Sequence, residues 1–383
     1  MMRKQLTLLL VLPALLLGGC EIGTKVTEQQ GPNGAAISSV KHKAGMPVVA
    51  PVPEPPYPLD AAMLEGARAK EVYQNVQVLG DISADEFNYT MAALTNWVAP
   101  ADGTVENGGC NYCHNPANMA SDELYTKVVA RKMLQMTRNI NANWTPHFNN
   151  NYGQGNENAG VTCWTCHRGK PVPANNWSAA LPDPGNIKGN KLGQNTPLKA
   201  TAYASLPYDS FSSYLAGSEN IRVGAKSAYP TDHAASIVNT EKTYGLMMHM
   251  SQGLGVNCTF CHNSNNFAKW SDSRTQRVNA WYGIRMVRDI NNNYITALGD
   301  VWPANRRGPA GDPLKVNCAT CHNGINRPMG GAKMLKDYPS LKGAPAATLV
   351  AAPAAAAPDT AVPEAAPASP PVAAAEDATK PAA

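Results

Sequence analysis

Apolar positions recur every three or four residues in two stretches of the chain that lie over one another without a gap. Val128 to Trp144 reads VVARKMLQMTRNINANW and Val278 to Tyr294 reads VNAWYGIRMVRDINNNY, an offset of 150 residues. The spacing predicts a helix in each, and both leave through the same Arg-x-Ile-Asn-x-Asn sequence. A repeat at a fixed offset predicts a duplicated chain. One further helix is predicted ahead of each copy: Ser83 to Val98 (SADEFNYTMAALTNWV), and a segment that sets Met247, Met248, His249 and Met250 on about one turn.

The periodicity fails at both ends. Residues 44–58 are rich in Pro and Val, and from Gly343 to Ala383 the chain is almost wholly Ala and Pro with a few charges. Such stretches are extended and bury no core. The ordered body is therefore expected over 59–341, as halves 59–200 and 201–341, with a disordered tail over 342–383. Arg3 and Lys4 precede an apolar run from Leu6 to Leu17, too short to span a bilayer comfortably, which predicts a signal peptide over 1–19. The sequence that follows, Leu17-Gly18-Gly19-Cys20, resembles the lipobox of bacterial lipoproteins. Cys20 is then expected to be acylated and to tether a Pro-rich linker, residues 20–58, to a membrane by a diacyl anchor.

Cysteine spacing changes the picture most. Eight of nine cysteines fall in four Cys-x-x-Cys-His pentapeptides: Cys110 and Cys113 with His114, Cys163 and Cys166 with His167, Cys258 and Cys261 with His262, Cys318 and Cys321 with His322. Two thiols on one turn add to the vinyl groups of a haem, and the adjoining histidine becomes its proximal ligand. Zinc sites and disulfides also use paired cysteines, but neither predicts a histidine directly after every second one. Four covalently bound haem c groups are expected. Each half then reads helix, haem, helix, haem. The fold class is mainly α with long irregular loops, a multihaem cytochrome built as a pseudo-twofold duplicated two-haem unit, in which macrocycles replace packing that an aromatic content of 7% does not supply.

If each haem follows its own helix, that helix offers the sixth ligand, and a neutral thioether suits this role by favouring reduced iron. The first haem has Met91, and the second has Met133 or Met136. The third has Met247, Met248, His249 or Met250. At the repeat offset Met136 meets Met286, but Met133 meets Gly283 and His147 meets Ala297. The simplest account is an exchange across the pseudo-twofold: Met133 ligates the second haem, His147 reaches the fourth, and Met136 and Met286 pack in the core. Four bis-histidine haems would need His42, His147, His233 and His249, of which His42 and His233 lie off the haem-preceding helices. His249 points to a different face from Met247 and is expected as a polar residue on the helix surface.

Net charge is +4, which gives no reason to expect a nucleic-acid partner, but its distribution is uneven. Glu71 to Thr126 holds eight acidic residues and no Lys or Arg, whereas Lys127 to Lys191 holds eight basic residues against Glu157 and Asp183. An acidic segment around the first haem either is a solvated face or steers a basic soluble protein. Arg277, Arg285 and Arg288 are candidates to offset propionates of the third haem.

The segments ARKMLQMTRNINANWTPH, CWTCHRG, LGVNCTFCH and WYGIRMVRDINNNY resemble the tetrahaem cytochrome subunit of purple-bacterial photosynthetic reaction centres, over nearly the whole body. The resemblance implies three His/Met haems and one bis-histidine haem, with ligands Met91 and His114, Met133 and His167, Met247 and His262, and His147 and His322. It also implies a periplasmic electron carrier, not an enzyme, on the L and M subunits. That carrier re-reduces the photo-oxidised bacteriochlorophyll special pair, with the third haem nearest the pair and the first farthest. A soluble c-type cytochrome or high-potential iron-sulfur protein is the implied donor. The stretch ADGTVENGG, Ala101 to Gly109, is longer than the family pattern. Two alternatives compete: a multihaem enzyme converting nitrite or hydroxylamine, which needs an open iron position, and a membrane-anchored cytochrome of a quinol-linked respiratory chain.

Overall fold

The structure, a computed structural model, describes residues 23–30, 37–148, 160–179, 199–207, 209–219, 221 and 237–343. The expected signal peptide, Cys20 and the Ala/Pro tail lie outside the described residues. Four long helices organise the body: α1 (Ala84–Val98), α2 (Tyr125–Asn143), α3 (Ile237–Leu254) and α4 (Thr275–Asp289). Each is followed by one pentapeptide, folded as its own short turn. Helix α1 starts where Ser83 Oγ accepts the Glu86 N–H at 3.0 Å, and Asp85 and Glu86 in its first turn face the positive end of the helix dipole. Among the described residues the fold is about half helical, with one small sheet and irregular loops.

Residues 20–58 are not wholly a linker. β1 (Lys25–Gln30) and β2 (Ile37–His42) pair antiparallel, Lys25 opposite His42. The hairpin docks on the loop of the third pentapeptide: the Ile37 N–H donates to Thr259 Oγ1 at 2.9 Å, Asn257 Nδ2 donates to the Ile37 carbonyl, and Lys41 Nζ donates to the Gly255 carbonyl. Composition concealed these strands because KVTEQQ and ISSVKH are mostly polar, and the residues that hold β2 sit more than 200 positions away. Farther along, Val52 and Leu59 pack on the core.

The core does not divide where the sequence does. One cluster joins Leu79, Tyr89 and Trp97 to Met334, Tyr338 and Leu341, and a second joins Trp177 to Phe211, Leu215, Leu246 and Ile284. A third contains Ile140, Trp144 and Val161 with Met286 and Ile290, taken from both repeat copies. Met286 is buried there and Met136 packs against it, as expected. Asn139 and Asp289, related by the repeat offset, meet each other through a 2.8 Å hydrogen bond. Among the described residues no helix is long and apolar enough to cross a membrane.

Candidate haem-binding sites

The four pentapeptides fold in two local forms that alternate along the chain. The first and third are 3₁₀ turns, Cys110–Tyr112 and Cys258–Phe260, each followed by a tight bridge, Asn115 to Asn118 and Asn263 to Asn266. The second and fourth are single α-helical turns, Cys163–His167 and Cys318–His322. Before each of these the preceding backbone N–H, of Thr162 or Asn317, donates to a threonine hydroxyl three residues on at 3.0 Å. After each, Arg168 or Asn323 turns left-handed at φ 51° and a glycine follows.

In every pentapeptide the histidine Nδ1–H donates to a backbone carbonyl. His114 donates to Met119 at 2.9 Å and His262 to Phe267 at 3.0 Å, both five residues on; His167 donates to Lys170 at 2.8 Å and His322 to Ile325 at 3.0 Å, both three residues on. A carbonyl only accepts, so the bond fixes the tautomer and leaves Nε2 with its lone pair for a metal. Burial lowers the pKa of His167 and His262, and pushes His322 down to about 4 with help from neighbouring His147. These imidazoles are neutral at physiological pH, the form that ligates iron.

Helices bring the opposite walls. The Gly169 N–H donates to the Trp97 carbonyl at 2.8 Å, and the Gly324 N–H to the Gly253 carbonyl at 2.7 Å, so α1 rests on the second pentapeptide as α3 rests on the fourth. A Cβ at Gly253 would lie 3.2 Å from the Ala319 backbone nitrogen, which is why this helix carries glycine where α1 has Trp97. Leu94 and Val98 of α1, like Met250 and Leu254 of α3, line one cavity of about 1180 Å³. Met133, His147 and residues of the second and fourth pentapeptides line it too, as do Cys113 and Cys261. Cys166 Sγ lies 2.7 Å from Cys321 Sγ, so the second and fourth sites stand back to back.

His147 comes from a short helix, Thr145–Phe148, directly after α2. Its Nδ1 meets the Asn279 carbonyl at 2.9 Å, and its ring centre stands 6.1 Å from that of His322 at 85°. Two imidazole–metal bonds of about 2 Å, plus the distance from nitrogen to ring centre on each side, add to about 6 Å. The pair therefore fits one metal ion held between them. Gly283 makes the space: a Cβ there would approach His147 Cε1 to 2.8 Å.

Met91 is half-buried on α1 beside the first core cluster, and Met247 is half-buried on α3 beside the second. His249 is not on the surface. It is 4% exposed, with its ring edge-on to Phe211 at 4.6 Å, because a loop distant in sequence folds over that face of α3. The long ADGTVENGG stretch closes on itself, the Gly109 N–H donating to the Ala99 carbonyl at 2.7 Å, so α1 and the first pentapeptide stay adjacent. Gly108 permits this closure, since a Cβ there would sit 2.2 Å from the Pro100 carbonyl oxygen.

Asn141 and Asn291 are the functional pair that sequence reading missed. Asn141 Oδ1 accepts the Val161 N–H at 2.7 Å while Nδ2 donates to the Val161 and Leu341 carbonyls; Asn291 Oδ1 accepts the Val316 N–H at 2.9 Å while Nδ2 donates to the Val316 and Leu215 carbonyls. Each side chain thus clamps the backbone two residues before a haem cysteine. The signal was visible as the shared Ile-Asn-x-Asn exit, without a role attached.

The charged candidates divide. Arg288 donates to the Tyr214 carbonyl through Nε and Nη2 at 3.2 and 3.0 Å, and Arg285 stacks on Trp281. Arg277 lies over Trp270 and donates to Ser273 and Ala268 close to His262. Of the acidic run, Asp81 pairs with Arg138 at 3.1 Å, Asp122 pairs with Arg131 at 2.9 Å, and Glu86 is buried, which raises its carboxyl pKa. Asp102, Glu106 and Glu123 are exposed and flank Cys110, itself exposed.

Paired thiols beside an imidazole whose Nδ1 is tied back to a carbonyl are what covalent haem attachment needs, and the class so defined is that of the c-type cytochromes. Residues 22–342 match the family described as photosynthetic reaction centre cytochrome c subunit. The chain is 46% identical over 345 residues to the photosynthetic reaction center cytochrome c subunit of Rubrivivax gelatinosus, covering 89% of this chain and 90% of that one. It is 46% identical over 343 residues to the subunit so named in Thermochromatium tepidum, covering 88% and 81%, and 39% identical over 328 residues to that of Roseobacter denitrificans, covering 82% and 84%. This chain belongs to the family of photosynthetic reaction centre cytochrome c subunits.

Proposed function

We propose that the protein carries four haem c groups and passes electrons along them to the photo-oxidised special pair held by the L and M subunits. The observation that carries this reading is the family match across all four pentapeptides, each with its Nδ1–H tied back to a carbonyl. The body is a duplicated two-haem unit. Alternating turn forms, the Asn139–Asp289 contact and the matched Asn141 and Asn291 clamps support it. The ligand sets are Met91 and His114, Met133 and His167, Met247 and His262, and His147 and His322. Under the matched contacts of α1 and α3, Met91 corresponds to Met247, while Leu94 and Val98 correspond to Met250 and Leu254. That correspondence favours Met247 over Met250.

Electrons enter at the first haem and leave at the third, through the second and fourth at the centre. The third site faces the membrane because its loop holds the hairpin, and Lys25 follows the acylated Cys20 by five residues, a reach of at most about 18 Å. That end lies on the periplasmic side of the bilayer, and the protein's work is spacing and potential rather than bond chemistry. Flash excitation of membranes is expected to oxidise the special pair and then haem in this subunit, with re-reduction of the pair slowed at least tenfold when the subunit is removed; equal rates with and without it would defeat the reading. A quinol-linked role has no observation in its favour.

The donor is a basic soluble cytochrome or a high-potential iron-sulfur protein, guided by Asp102, Glu106 and Glu123. Neutralising Asp102 and Glu106 together is expected to slow second-order reduction by roughly twofold to tenfold at low salt and to flatten its salt dependence. Stopped-flow rates across ionic strength measure this, and an unchanged salt slope would assign docking to apolar contact.

A further inference from the structure

Each methionine assigned to an iron is followed, four residues later, by a hydroxyl residue: Met91 by Thr95, Met133 by Thr137, Met247 by Ser251. The other methionines on these helices are not: Met136 precedes Ile140, Met248 precedes Gln252, Met250 precedes Leu254 and Met286 precedes Ile290. At the repeat offset the two positions change together. Met133 becomes Gly283 and Thr137 becomes Val287, so the hydroxyl is lost where the methionine is lost.

The geometry gives the pairing a mechanism. Thr95 Oγ1 donates to the Met91 carbonyl at 3.0 Å, and Thr137 Oγ1 donates to the Met133 carbonyl at 2.9 Å. A threonine or serine bonded back to the carbonyl four residues earlier bends its helix and pins that turn. Methionine has three rotatable bonds before its methyl group, so the direction of its Cα–Cβ bond decides where the sulfur can reach. Thr137 is 3% exposed and its hydroxyl also lies against Cys163, which ties the methionine turn to the haem's own attachment point.

We propose that Thr95 and Thr137 are positioning residues, which hold the backbone turns of Met91 and Met133 so that each sulfur meets its iron at one fixed approach. The inference rests on the ligand assignment above, and its test separates the two. Thr137→Val keeps shape and removes the hydroxyl. The purified haem protein is examined by near-infrared magnetic circular dichroism, which reads methionine-to-iron charge transfer, and by redox titration. Thr137→Val is expected to weaken or shift that signal for one haem and lower its midpoint potential, with Thr137→Ser restoring both. Met133→Ala is expected to abolish the signal for the same haem.

A Thr137→Val protein identical to the parent, while Met133→Ala removes one signal, overturns the positioning role and leaves the ligand intact. Signals unchanged in Met133→Ala overturn the ligand assignment and the inference with it. If Thr137→Val fails to retain its haem, Thr95→Val is measured instead at a half-buried position, against Met91→Ala, with the same expected and overturning results.

Discussion

On the proposed ligand sets, a Gly283→Val variant is expected to keep its covalently attached haems but to lose His147 from the iron of the fourth. Even a Cβ at this position would approach His147 Cε1 to 2.8 Å and Nδ1 to 3.0 Å, closer than van der Waals contact allows. His147 has no easy retreat, because its Nδ1 is held by the Asn279 carbonyl and its ring packs edge-on to Phe148 at 5.3 Å. An isopropyl group must therefore push the imidazole off the axis it shares with His322. Reduced protein would then bind carbon monoxide at one iron, where the parent binds none, and the bis-histidine signal would vanish from the magnetic circular dichroism spectrum. A spectrum unchanged in Gly283→Val would mean that His147 is not an iron ligand. The companion variant, Gly283→Met and Val287→Thr with His147→Ala, gives the second copy the methionine and threonine of the first and removes the competing histidine. It is expected to convert the fourth haem to His/Met coordination and raise its potential, since a thioether favours reduced iron.

Asn291→Ala is expected to cost about 3 kcal/mol of stability, from removing one partner of buried backbone groups at about 1–3 kcal/mol each. Asn291 is 0% exposed and makes bonds of 2.9 Å to the Val316 N–H, the Val316 carbonyl and the Leu215 carbonyl, and of these the Val316 carbonyl keeps a second donor in Trp177 Nε1. Because Val316 stands two residues before Cys318, loosening it also disturbs the turn that presents both thiols. Thermal unfolding followed by Soret absorbance measures the stability loss, and haem content per chain measures attachment. Asn141→Ala should act likewise on the second site through Val161. An Asn291→Ala protein with the parent's melting temperature and haem content would show the clamp to be dispensable.

These two sites differ in how much the sequence disclosed. The approach of His147 to Gly283 was readable because the copies align without a gap, and a glycine opposite a methionine has a simple steric meaning. The asparagines were equally visible, but their partners are backbone groups 20 to 200 residues away, and no residue type announces a carbonyl acceptor. The kinship of α1 and α3 is harder still to read, since Trp97 corresponds to Gly253 and only the backbone contacts to Gly169 and Gly324 reveal it. His249 was misjudged because Phe211 belongs to a loop whose return onto α3 no local pattern encodes. The hairpin was hidden by composition, because strands held by one neighbouring loop need little apolar content.

The mixed cores have a consequence for ancestry. Leu341, from the end of the body, sits among Leu79 and Trp97, and Leu215, from its middle, sits among Leu246 and Ile284; Asn141 receives the first and Asn291 the second. Leu215 closes a core within its own half, whereas Leu341 crosses from the end of the second half to the first. On the proposed duplication, a lone ancestral unit would have needed its own counterpart of the Leu341 segment to cover Leu79 and Trp97.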